Sequence, residues 1–275
     1  MIIKTLVENT RIDDNIGCEH GLSLFIKTTK HNILFDIGST SMFADNALKM
    51  NVDLKSVDLV IISHGHFDHG GGIKTFLNIN SKAKIYIKKE AFANYYYKNS
   101  EGQLRYVGID QTLLPNERFV FLDDDFIIDD ELRLFTNVTD NKLRAKNSLD
   151  LYKQNGDELI NDEFVHEQHL LIKQGSKNIL IAGCSHTGMV NIVNKCKDKL
   201  GIAPNYVIGG FHLYNNLIDN SEEYGFVKKL GNYLLTLGIE KYYTCHCTGK
   251  DSYKLLKSIM KDKLDYLSGG SLLEL

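Results

Sequence analysis

The stretch Ser63-His64-Gly65-His66-Phe67-Asp68-His69-Gly70-Gly71-Gly72 constrains this chain more than any other. Three histidines and an aspartate fall within six positions, directly after the apolar run Asp58 to Ser63. That run reads as a short strand buried on both faces, and loops at strand ends are where a rigid scaffold presents functional side chains. Imidazole and carboxylate suit zinc, iron or manganese. The spacing lets His64 and His66 point the same way from an extended turn, while Asp68 and His69 face a second position. The flanking glycines permit tight backbone geometry. A solvated polar loop with incidental histidines is the bland alternative, and four such residues at this spacing after a buried strand argue against it.

The rest of the chain predicts alternating strands and helices. Strands are expected over Ile2 to Val7, Leu22 to Thr28 and Asn32 to Asp36, with a hairpin turn at Lys30-His31-Asn32. A helix opens at Gly38-Ser39-Thr40 and runs through Phe43, Ala47, Leu48 and Met50. Another follows Gly72, and Ala83 to Ile87 returns as a strand. Residues from about 90 to 165 show no clear pattern and read as a possible insertion within a single 1–275 domain. Beyond them come a hairpin (Leu170 to Lys173, Asn178 to Ala182), a helix from about Met189 to Asp198 and a strand from Tyr206 to Ile208. A helix from Tyr224 to Leu237, a strand from Lys241 to Thr244 and a helix from about Ser252 complete the pattern. Two such half-chains suggest an α/β protein built as a four-layer α-β-β-α sandwich.

Further histidine and cysteine clusters sit after the later strands. Ala182-Gly183-Cys184-Ser185-His186 closes the hairpin, Gly209-Gly210-Phe211-His212-Leu213 follows strand 206–208, and Thr244-Cys245-His246-Cys247-Thr248-Gly249 follows strand 241–244. Cys184 is either a thiolate ligand or a small buried residue. His212 binds substrate, shuttles protons, ligates metal if His246 does not, or is an ordinary surface histidine. A separate zinc site on Cys245 and Cys247 is discounted, because side chains two apart in an extended segment point away from His246 between them. His20 is a candidate for lining the pocket, and His166 and Glu167 for lying near the site. His31 and His169 read as structural or exposed.

His64-x-His66-x-Asp68-His69, preceded by Leu34-Phe35-Asp36-Ile37-Gly38, resembles the signature of the metallo-β-lactamase fold superfamily. The resemblance implies a dinuclear centre of divalent ions, zinc above manganese or iron, with His64 and His66 on one ion and Asp68 and His69 on the other. It also implies His186 as a further ligand of the first ion and His246 as the superfamily's last histidine. Cys184 stands where the bridging aspartate is usual. Glu19-His20-Gly21-Leu22-Ser23-Leu24 and the three later clusters narrow the match to a subfamily that includes the dihydropterinylmethyl-aminobenzene ribofuranosyl phosphate synthases. The implied activity is a hydrolase that activates water on a phosphorylated or lactone-type small molecule, with Asp68 and His212 as catalytic residues. The alternatives are transfer of a dihydropterinylmethyl group from its diphosphate, and a non-catalytic ligand-binding protein on the same fold. Flavin-coupled di-iron reductases and capped nucleases fit less well, since 275 residues leave no room for a flavodoxin domain.

Composition removes other classes. Thirty-two basic against 35 acidic residues give a formal net charge of -3, so no basic field draws nucleic acid or a membrane surface. No apolar run reaches the roughly 18 residues of a membrane span, and the N-terminus reads as a strand, not a signal peptide, which places the protein in the cytoplasm. Five cysteines are an odd number for a disulfide framework and read as reduced thiols. Tyr95-Tyr96-Tyr97 reads equally as packing or recognition. Lys142, Arg144 and Lys146 alternate and could meet a phosphate, although an exposed charged segment is the commoner explanation.

Overall fold

The strands alternate which core they feed, and that alternation builds the layers. In the computed structural model, which describes residues 1–215 and 220–275, Ile33, Phe35, Leu59 and Ile61 face one buried cluster while Leu34, Val60 and Ile62 face another. The first group meets Leu170, Ile172, Ile179, Ile181 and Ile208 between two sheets. The second packs on Phe43, Ala47, Ile73 and Phe76 of helices Met42–Lys49 and Ile73–Ile79. On the far side Leu171, Leu180 and Val207 meet helices Met189–Asn194, Tyr224–Leu235 and Lys250–Met260. Strands buried on both faces need this continuous apolar character. The product is the four-layer α-β-β-α sandwich.

The first sheet runs Leu272–Glu274, Ile2–Val7, Ser23–Lys27, Asn32–Phe35, Leu59–Ile61, Lys84–Lys88, Phe119–Leu122. The second runs Leu264–Tyr266, Lys241–Thr244, Tyr206–Ile208, Lys177–Ile181, His169–Gln174, Leu132–Phe135, Phe126–Ile127. Its neighbours from Lys177–Ile181 through Lys241–Thr244 are parallel, so their C-terminal ends lie on one edge. The parallel strands Asn32–Phe35 and Leu59–Ile61 of the first sheet likewise end together. The loops that follow carry the histidine and cysteine clusters. Between residues 90 and 165 two kinds of strand alternate. Tyr95–Lys98, Leu104–Tyr106, Leu151–Asn155 and Glu158–Asn161 make a separate four-stranded sheet, while strands between 119 and 135 belong to the two main sheets. No helix among the described residues is long and apolar enough to cross a membrane.

Candidate metal centre

Strand Leu59–Ile61 ends in a loop that His66 closes by leading into the single turn Phe67–Gly70. Asp36, at the end of the neighbouring strand in a left-handed conformation (φ 56°), holds that loop. Its Oδ1 accepts from Ser63 N at 2.7 Å, and its Oδ2 accepts from Ser63 Oγ and His69 Nδ1, each at 2.7 Å. Since the Ser63 hydroxyl donates to Asp36, it accepts from His64 Nδ1 at 2.8 Å. One carboxylate thus fixes two imidazoles with their Nε2 lone pairs turned inward.

The facing wall comes from the second sheet. Cys184, Ser185 and His186 follow Lys177–Ile181, with Ser185 at φ 60°. Glu167 clamps this turn: its carboxylate accepts from His186 N (2.7 Å), Thr187 N (3.1 Å) and Thr187 Oγ1 (2.6 Å). Phe164 stacks on His186 at 4.4 Å and 7°, and Arg144 lies over Phe164 while its Nε donates to His186 O. His246 has φ 50°. Its backbone N donates to Glu8 Oε1 at 2.6 Å, and its Nδ1 donates to Asn9 Oδ1 at 2.7 Å. The Tyr266 hydroxyl also donates to Glu8 Oε1 at 2.6 Å.

The inward atoms converge on two points. His69 Nε2 lies 3.2 Å from His246 Nε2, 3.2 Å from Cys184 Sγ and 3.5 Å from Asp68 Oδ2, and His246 Nε2 lies 3.1 Å from Asp68 Oδ2. On the other side His64 Nε2 and His186 Nε2 are 3.3 Å apart, with Cys184 again within ligand reach. Donors bonded at about 2.0–2.1 Å to a tetrahedral ion stand roughly 3.3–3.4 Å from one another. Adjacent to these, His66 Nε2 is buried with no hydrogen-bond partner, as is His186 Nδ1. Crowded lone pairs and an orphaned buried imidazole nitrogen are what a cation would satisfy, so the donor set fits a divalent metal. All of these residues are buried.

The electrostatics agree in sign. Burial holds His64 and His186 well below the usual imidazole range, and burial with neighbouring His166 takes His66 down to about 3. These rings are neutral at pH 7, as ligands must be. Burial also lowers His246. His69 behaves oppositely: burial would lower it, but Asp36 and Asp68 together raise it to about 10. The pair of carboxylates favours positive charge at that Nε2, whether a proton or an ion supplies it. Asp68 stays ionised despite burial, because the charge on His69 and the hydrogen bond from His20 favour its carboxylate.

The structure brings His64, His66, Asp68, His69, Cys184, His186 and His246 around one cleft, which His212 also lines. His20 lines it too, its Nε2 3.3 Å from Asp68 Oδ2. His166 is close but engaged: Gly65 N donates to its Nδ1 at 2.8 Å and its Nε2 donates to Asp162 at 2.9 Å, so it braces the loop. His31 pairs with Asp129 and His169 is fully buried, both away from the cleft lining. His212 is 9% exposed, which removes the surface-histidine alternative. Lys142 donates to the Tyr233 hydroxyl, Arg144 to His186 O, and Lys146 pairs with Glu223, so the three do not form a phosphate patch. Cys247 is the correction. Cys245 does point away, into the core between the sheets, but His246 bends the chain and Cys247 lines the cleft beside Cys184 and His212. The alternation argument assumed an extended segment, and residues 246–248 form a 3-10 turn. Glu8 and Asn9 were missed altogether. A carboxylate directly after the strand Ile2–Val7 was the only local signal for them.

Comparison with known proteins follows the same lines. The family model described as the Metallo-beta-lactamase superfamily matches residues 16–140. A 7,8-dihydropterin-6-methyl-4-(beta-D-ribofuranosyl)-aminobenzene-5'-phosphate synthase of Methanocaldococcus jannaschii is 29% identical over 93% of this chain and 90% of its own length. An uncharacterised protein of the same organism, MJ0448, is 31% identical over 77% of this chain and 79% of its own. Among solved structures Tm1679, described as a metal-dependent hydrolase of the β-lactamase superfamily, superposes with a TM-score of 0.82 at 28% identity, covering 100% of this chain and 99% of that one.

Proposed function

The chain belongs to the metallo-β-lactamase superfamily, and from that premise we propose that it is a hydrolase working through a dinuclear metal centre on a small molecule. The convergence of His69, His246, Asp68 and Cys184 donors at 3.1–3.5 Å carries this reading. His64, His66 and His186 would hold one ion, Asp68, His69 and His246 the other, and Cys184, within ligand reach of both groups, stands between them. Two divalent ions, zinc above manganese or iron, would supply a water acidified to near neutrality and Lewis acidity at a substrate oxygen.

The chain's own groups do the remaining work. Asp68 keeps its carboxylate ionised and takes a hydrogen bond from His20, so it can orient a water and accept its proton. His212 offers a buried imidazole beside the Cys247 thiol, suited to stabilising charge or protonating a leaving group. Phe67, Val107 and Leu151 form an apolar wall, with Tyr97 and Tyr214 adding aromatic surface. The apolar, aromatic and imidazole lining of the cleft is that of a small-molecule site. Among the described residues no lysine or arginine lines it, so a phosphate or lactone oxygen would be met by the ions.

A second reading is transfer of a dihydropterinylmethyl group, with diphosphate departing. The 29% identity to the Methanocaldococcus synthase favours it, and the apolar, aromatic wall suits a flat ring. Elemental analysis of the purified protein, with and without His64→Ala/His69→Ala, tests the centre. Two equivalents of metal lost in the variant are expected, after which phosphoesters, lactones and pterin diphosphates are screened as substrates. No bound metal and no uptake of zinc, manganese or iron would sink the catalytic reading.

A further inference from the structure

Two of the buried cysteines behave as core residues. Cys245 packs between the sheets and Cys196 under the helices of the second layer. Cys184 and Cys247 do not: both line the cleft, and their sulfurs lie with a ring nitrogen of His212 within 4.8 Å of one another. His212 is buried, no nitrogen or oxygen atom bonds to its ring nitrogens, and the Cys247 sulfur is the group that interacts with it; imidazole nitrogens left without a nitrogen or oxygen partner are uncommon.

The two segments are shaped to meet here. A Cβ at Gly210 would stand 2.4 Å from Cys247 Sγ, so glycine makes room for the sulfur. Gly210 N donates to Gly183 O at 2.8 Å, and Phe211 N donates to Thr248 Oγ1 at 2.9 Å. His212 then takes φ 50° and enters the cleft. Left-handed conformations at non-glycine residues concentrate at functional sites.

We propose that Cys184, His212 and Cys247 form a third metal site, for a thiophilic divalent ion such as zinc, beside the dinuclear centre and sharing the Cys184 sulfur with it. Two thiolates and a neutral imidazole balance the charge of such an ion and match its ligand preference. Three protein donors leave a fourth position open to the cleft. One ring nitrogen of His212 serves the ion and the other remains for substrate. The site rests on the dinuclear reading only through the shared Cys184.

Metal-free protein is titrated with cobalt(II) alone, and bound cobalt per chain and thiolate-to-cobalt charge-transfer absorption are measured. Cys247→Ser and His212→Asn are each expected to bind one ion fewer than the wild type while melting like it. Cys247→Ser is also expected to lose part of the absorption. Equal cobalt content and equal absorption in the wild type and both variants overturns the site. His64→Ala/His69→Ala separates the two readings: it is expected to lose the dinuclear ions and keep one cobalt with thiolate absorption. If that variant binds as many ions as the wild type, the dinuclear reading fails and the third site is judged on Cys247→Ser alone.

Discussion

The two walls of the cleft reach one arrangement by different routes. The near wall takes His64, His66, Asp68 and His69 from one short loop, with no left-handed residue between 63 and 69. The far wall takes Cys184, His186, His212 and His246 from three loops of the other sheet, with Ser185, His212 and His246 in left-handed conformations. Asp36 fixes two near-wall imidazoles, whereas Glu167 serves His186 and Glu8 with Asn9 serves His246. The contiguous set shares its braces, Asp36 with His166 behind Gly65, whereas the turns of His186 and His246 are each held separately.

Breaking the near wall should therefore cost most. His66→Ala, or His64→Ala/His69→Ala, is expected to lower turnover more than about 100-fold with the fold retained, beyond what removal of a bracing residue does. His246→Ala should strip one ion and leave the other, measurable as metal content. Full activity in His66→Ala would abolish the distinction.

His169 sharpens the contrast, being a buried histidine on the far-wall sheet with no hydrogen-bond partner, its Nε2 3.8 Å from Glu167 Oε2. Burial lowers it to about 4. The unfolded chain takes up this proton near pH 6.5 and the folded chain only near 4. Its effect on stability is therefore absent above pH 6.5, grows as pH falls toward 4 and levels off below. The loss is on the order of 3 kcal/mol. Urea unfolding of His169→Leu against the wild type across that window should show a flatter acid limb; identical limbs would refute the assignment.

The braces come next. Asp36→Ala should weaken both ions and Glu8→Ala chiefly the one near His246, each by about 10–100-fold in competition with a chelator. Glu8→Ala also removes the acceptor of four donors, the buried His246 N and the part-buried Tyr266 hydroxyl, Thr10 N and Thr10 Oγ1. Leaving His246 N unpaired should cost about 1–3 kcal/mol by denaturant titration. Equal weakening of both ions in Glu8→Ala would erase the difference between the walls. Least of all, Lys146→Ala should move stability and activity by no more than about 0.5 kcal/mol, since its pair with Glu223 is exposed.

This division also explains what was legible in the sequence. The near wall could be read because its ligands are local and its strand is continuously apolar. The layers followed from two half-chains of alternating strands and helices, while the alternate burial of Ile33, Leu34 and Phe35 shows only in the structure. His186 and His246 came through family resemblance, since nothing local says which distant loop faces His64. Cys247 was misjudged because one left-handed residue, His246, cancels the alternation of a strand. Glu8 and Asn9 stayed hidden because their roles exist only after two distant parts of the chain meet.

That meeting joins residue 246 to residue 8, 238 positions apart. A contact of such span forms only after a large loop has closed, which makes it slow and late in folding. The near-wall donors lie within six residues and need no such closure, whereas His246 joins them only once the last parallel strands have docked. Metal uptake during refolding should therefore be biphasic, and its slow phase times the closure of the sandwich.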